Sequence, residues 1–186
     1  MPPPLQIPRQ LRAATRKRIN RAPSPALALT VPWLLVMLGS LSPTWPLITS
    51  APLVPPLGFM VLIAWLQLRP GIFPAWAGFP LGLFDDLFSG QPFGSAALLW
   101  SLTVLLLELQ EFRFPWRIYW QDWAVGAGLV SSCLVLSAAI ASGGTPPAAL
   151  ATIAPQILIA VLAFPFVGRL VALSDRFRLL PLRDIG

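Results

Sequence analysis

The chain has 186 residues, of which 56% are hydrophobic and 11% charged, with a formal net charge of +6. An ordinary soluble domain carries about 25% charged residues, so a soluble fold of this composition would lack the polar groups to cover its surface. Histidine is absent and Cys133 is the single cysteine, which excludes an internal disulfide, a Cys/His metal site, a Ser-His-Asp triad and a Cys-His pair. The expectation is an all-α integral membrane protein that is not an enzyme and needs no cofactor or metal. Its basic residues flank apolar runs, so their expected partner is the anionic face of a lipid bilayer rather than nucleic acid.

Residues 1–25 form a Pro-rich basic tail carrying Arg9, Arg12, Arg16, Lys17, Arg18 and Arg21 with no acid. The tail is read as an uncleaved cytoplasmic segment, and Arg12–Arg21 reads either as a short basic surface helix or simply as a topology signal. Six apolar runs follow, each marking a membrane-spanning helix, since a span needs roughly 20 apolar residues. They are Ala26–Leu47, Leu53–Leu68, Ile72–Phe88, Phe93–Leu109, Trp123–Ala141 and Ala148–Leu173. The predicted domain is 26–173, with a C-terminal tail at 174–186.

Charge placement selects six spans. With the N-terminus in the cytoplasm, the cytoplasmic segments are the tail, the loop at Arg69, the loop Gln110–Asp122 (Arg113, Arg117) and the C-terminal end (Arg169, Arg176, Arg178, Arg183). They hold all thirteen Lys and Arg residues. The opposite connections, around 48–52, 89–92 and 142–147, hold none. Lys/Arg excess on the cytoplasmic side is the rule for orientation, so both termini are expected there. Trp45, Trp116, Tyr119, Trp120 and Trp123 fall near run ends, where aromatic rings prefer the membrane interface. The chain holds 22 prolines, several inside the runs, and these predict kinks that neighbouring helices must re-satisfy. Cys133 lies in an apolar run and is expected to act as a small hydrophobe.

One segment stands apart: Asp85 and Asp86 close the third run, and a Ser89-Gly90-Gln91-Pro92 turn leads to Gly94 and the fourth run. Three uses suit the acids. Asp86 and Ser89 can cap free N–H groups before the fourth helix. The pair can make a polar contact that fixes the helix arrangement, within the chain or with a partner. Or it can form an ion or proton site. Neighbouring residues on a helix point about 100° apart, which argues against the two carboxylates acting as one facing pair. Glu108 and Glu111 near Arg113 and Arg117 read as solvated ion pairs. Gly78 and Gly82, and again Gly90 and Gly94, have the small-xxx-small spacing that lets helices approach closely. Gly126, Gly128, Ser131 and Ser132 give the fifth run a second small-residue region.

This segment resembles the MreD family of bacterial rod shape-determining membrane proteins. Their pattern is Gly-x-x-x-Asp-hydrophobic-hydrophobic-Ser-Gly-x-x-x-Gly. Asp86 matches the family's acid, Ser89-Gly90 its turn and Gly94 its second glycine; Asp85 fills a variable position. The likeness is specific over Gly78–Glu108 and elsewhere consists of length, hydropathy and the basic N-terminus. It implies a non-enzymatic inner-membrane subunit of the machinery that inserts peptidoglycan along the side wall. The implied partners are MreC, the glycosyltransferase RodA with its transpeptidase and, indirectly, the MreB filament. The implied fold resembles the six-helix substrate-binding component of energy-coupling-factor vitamin transporters. Asp85, Asp86, Ser89, Gly90, Gly94, Gly78 and Gly82 are the candidate structural or partner-binding residues. The alternative reading is a substrate-binding subunit of a small-molecule transporter, which requires a pocket with several polar groups at the external end.

Overall fold

The computed structural model describes residues 25–44, 54–113, 119–142 and 146–178. Among them the secondary structure is all-helical, with six α-helices and no strand. They are α1 (Pro25–Ser40), α2 (Leu57–Leu68), α3 (Gly78–Ser89), α4 (Ser95–Arg113), α5 (Tyr119–Ala141) and α6 (Pro146–Arg178). Single 3-10 turns follow α1 at Ser42–Thr44 and precede α3 at Ala75–Ala77. The expected basic helix at Arg12–Arg21, Trp45 and Trp116 lie outside the described residues, as do the side chains of Tyr119, Glu111, Arg113 and Arg117.

The boundaries move for local reasons. The third apolar run is not one helix from Ile72. Pro74 is extended (φ −67°, ψ 154°) and the helix proper begins at Gly78. α2 begins after Pro55-Pro56 and stops at Arg69, because a residue preceding proline is pushed out of the α region; Arg69 sits at φ −137°, ψ 83°. Gly71 then turns the chain with φ 77°. α6 runs past the expected end at Leu173 and carries Asp175 and Arg176 within it, so the start of the expected C-terminal tail is helical.

Successive helices run in alternating directions. α1, α3 and α5 finish at the end of the bundle where Ser42, Asp85 and Ala141 meet. α2 and α5 have their other termini near late α6, where Gln67, Asp122 and Arg169 meet. Arg69 donates to Asp175 there from both Nε (3.1 Å) and Nη2 (2.8 Å), tying the end of α2 to α6. α2 is the axis of the fold: every residue from Gly58 to Leu66 is buried. Its ring Phe59 packs on Trp100 of α4 with centroids 5.5 Å apart. Such a helix needs an apolar side chain at nearly every position, and LGFMVLIAWLQL supplies one. α1 crosses α2 at Gly39 and Gly58, where a Cβ on Gly39 would lie 2.8 Å from the Gly58 Cα.

The outer helices behave differently. Trp120–Ala141 and Ala151–Phe177 are long and apolar enough to cross a membrane, and only 33% and 17% of their most apolar windows is buried. Along α6, Leu158, Leu162, Phe166, Leu170, Leu173 and Phe177 form an exposed apolar stripe at three- and four-residue spacing. Pro165 deprives the Val161 carbonyl of its helical donor. The indole Nε1 of Trp123 donates to that carbonyl across the α5–α6 interface at 3.4 Å. Beside it, Gly126 leaves room for the Phe164 ring, with which an added Cβ would collide.

Candidate functional site

Gly78, Gly82 and Asp86 recur every four residues and so form one stripe along α3. That stripe faces α4. A Cβ on Gly78 would lie 2.7 Å from the Ser101 Cα, and one on Gly82 2.6 Å from the Ala96 carbonyl oxygen and the Ala97 Cα. The two glycines expected to offer a face to a partner are therefore spent inside the chain, on the closest packing of α3 against α4. Gly90 and Gly94 correct the sequence reading in another way. They are not a second helix-packing pair but left-handed turn residues, with φ of 67° and 93°, and among the described residues no atom beyond the chain neighbours lies within 4 Å of an added Cβ at either position. Their role is conformational, since side chains at such φ are strained.

The turn brings the start of α4 onto the Asp86 carboxylate. Oδ2 accepts the N–H groups of Gly94 (2.9 Å) and Ala97 (3.1 Å). Oδ1 accepts the Ala96 N–H (2.9 Å) and the Ser95 hydroxyl (3.4 Å). The Ser95 N–H goes to the Pro92 carbonyl at 3.1 Å, and the Leu98 N–H to the Gly94 carbonyl at 3.1 Å. Every N–H of the first turn thus has an acceptor, which a helix start otherwise lacks. Gly94 has no side chain to cap with, so α3 supplies the cap from its own last turn. The carboxylate is buried, and the positive end of the α4 dipole favours its charge. Asp86 behaves as the capping alternative describes. Ser89 does not: its hydroxyl is buried without a hydrogen-bond partner among the described residues.

Asp85 points elsewhere. It is half-buried beside the Ser40 hydroxyl and lines a cavity of about 360 Å³ at this end of the bundle. Ser42, Ser89, Gln91, Ser137 and Gln156 contribute its other polar side chains, and Pro55, Leu134 and Ile153 are among its apolar walls. The Ser42 hydroxyl is buried and, like that of Ser89, has no partner among the described residues. Gln156 is anchored by donating to the Val54 carbonyl at 2.6 Å. Cys133 is part-buried against the core and lies beside Ser137. The cavity is not legible in the sequence because its residues come from five separate segments; of them only Asp85 and Ser89 belong to the distinctive motif.

A second cavity, of about 350 Å³, lies at the opposite end between α2, α5 and α6, lined by Gln67, Asp122, Trp123 and Arg169 among others. Gln67 donates its Nε2 to the Asp122 carbonyl at 2.8 Å. In the second small-residue region only Gly126 marks a close approach. Ser131 and Ser132 donate to carbonyls of their own helix, and Gly128 faces open space. Among the described residues no group of three His, Cys, Asp or Glu side chains is placed to hold a metal ion.

No known family model, curated protein or solved structure matches the chain.

Proposed function

We propose that the chain is a six-span inner-membrane scaffold subunit of the cell-wall elongation machinery, of the MreD type. It would bind MreC and through it act with RodA, its transpeptidase and the MreB filament. The observation that carries this reading is the Asp86 cap. The same residues that resemble the family motif make one structural unit, in which the acid's oxygens are occupied by helix N–H groups. An acid committed to holding two helices together suits a scaffold better than a proton or ion carrier. The locked α3–α4 hairpin leaves Phe79, Leu87 and Phe93 exposed, an apolar surface suited to lipid or to a partner's spanning helix.

The six-span count rests on charge placement. α2 has only 12 residues, short for a bilayer core of about 30 Å, but its burial spares it contact with lipid. Arg69, Arg169 and Arg176 all belong to the end of the bundle opposite Asp86, the side expected to be cytoplasmic. Co-purification of MreC from detergent extracts, and rounding of rod-shaped cells on depletion, are the expected results. Normal shape after depletion with MreC unaffected would overturn the reading.

A second reading, a substrate-binding subunit of a small-molecule transporter, is favoured by the cavity at the Asp85 end. The pocket with several polar groups that this reading requires is supplied there by side chains of the helices and their ends. Native mass spectrometry of the purified protein tests it: a retained small molecule supports it, and an empty protein counts against it.

A further inference from the structure

The adjacent carboxylates are chemically divided. Asp86 is saturated by four donors, whereas Asp85 faces a cavity with no basic side chain among the residues lining it. A half-buried carboxylate in mostly apolar surroundings is stabilised by a counter-charge. Two hydroxyls of that cavity, those of Ser42 and Ser89, are buried without partners, although buried polar groups are ordinarily hydrogen-bonded. An acid and two oxygens able to accept describe a site for a positively charged donor. Asp85 is the one charged side chain among the residues lining the cavity, and among the described residues no group of three His, Cys, Asp or Glu is placed to hold a metal ion. The volume of about 360 Å³ falls within the range of small-molecule sites. It also exceeds what a bare ion fills. The walls formed by Pro55, Leu134 and Ile153 suit hydrocarbon.

We propose that this cavity binds an amphiphilic organic ammonium ion, its N–H groups directed at Asp85, Ser42 and Ser89 and its hydrocarbon against the apolar walls. An ammonium brings three donors and no acceptor, which suits a carboxylate and two unpartnered hydroxyl oxygens lining one cavity. The group can belong to a free amine or to an ethanolamine lipid headgroup. The site stands on the cavity alone and is compatible with either reading of the chain's role.

The test uses the full-length protein in phosphatidylglycerol nanodiscs. Dicyclohexylcarbodiimide modification of Asp85 is followed by peptide mass spectrometry, with phenethylamine as the probe and 2-phenylethanol as its neutral counterpart. A bound amine at about ten times its dissociation constant is expected to slow labelling of Asp85 about tenfold, by simple occupancy. The alcohol is expected to leave the rate unchanged. Phosphatidylethanolamine nanodiscs without added amine form the second arm: slowing there assigns the ammonium to the headgroup, and slowing only with phenethylamine assigns it to a free amine. In a parallel thermal-unfolding series, phenethylamine is expected to raise the midpoint of the wild type and not of Asp85→Asn. Equal protection by amine and alcohol, or no protection in either arm, overturns the proposal. MreC co-purification is independent of both outcomes, so a failure here leaves the scaffold reading to its own test.

Discussion

Asp86, in the last turn of α3, accepts the N–H of Ala96, in the first turn of α4, at 2.9 Å and buried from solvent. With the three further bonds to the same carboxylate, this makes the end of one helix the cap of the next. Asp86→Ala strands buried N–H groups, each costing about 1–3 kcal/mol when left unpaired. A loss of about 2–4 kcal/mol is expected after partial rehydration. Asp85→Ala should cost less than about 1 kcal/mol, since it removes no cap. Thermal unfolding in detergent measures both, and equal losses would contradict the division of roles. In complementation and MreC pull-down assays, Asp86→Ala should likewise be the more damaging change.

The glycines of the α3 stripe are expected to be intolerant of any side chain. Gly82→Ala places a Cβ 2.6 Å from backbone atoms of α4, which side-chain movement does not relieve. The expected cost of such overpacking is about 1–3 kcal/mol. Gly128→Ala, facing open space on α5, should be neutral or slightly stabilising, because alanine favours the helix. Expression level and thermal midpoint of the two variants give the comparison.

Gly90 and Gly94 should fail for a different reason. Ala at either position must adopt a left-handed φ, at about 1–2 kcal/mol. Gly90→Asn should recover most of the loss, since asparagine tolerates φ near 67°. If Gly90→Ala and Gly90→Asn unfold at the same temperature, the turn is not conformationally limited as described.

Trp123 and Pro165 should be thermodynamically coupled. Trp123→Phe removes the donor to the Val161 carbonyl and is expected to cost about 1 kcal/mol. In a Pro165→Ala background the helix regains its own donor at residue 165, so the same Trp123→Phe change should cost measurably less. A double-mutant cycle on thermal unfolding reads the coupling. Additive losses would mean that the indole bond contributes nothing.

Membrane topology is testable with single cysteines in a Cys133→Ser background. Gln91→Cys, beside the Asp85 cavity, should react with a membrane-impermeant thiol reagent added outside spheroplasts. Arg176→Cys should react only after lysis. The reverse pattern would invert the proposed orientation, and reaction of both from outside would rule out the span count.

By itself the sequence determined the helical, apolar character of the chain, the approximate place of the six described helices and the segment around Asp86 as its distinctive feature. These follow from composition and from local breakers such as Arg69-Pro70-Gly71, which act on the chain without tertiary help. The chemistry of that segment was legible in part: an acid one turn after the second of two glycines, followed by a turn, allowed a cap. Which carboxylate did the capping was settled only by packing, because two neighbouring positions on α3 face different partners, one α4 and the other a cavity. The same physics hid Gly39 against Gly58, Trp123 against Val161 and Arg69 against Asp175. Each pairs residues far apart in sequence that touch only when the helices cross, and no periodicity along a single helix records which neighbour it will meet.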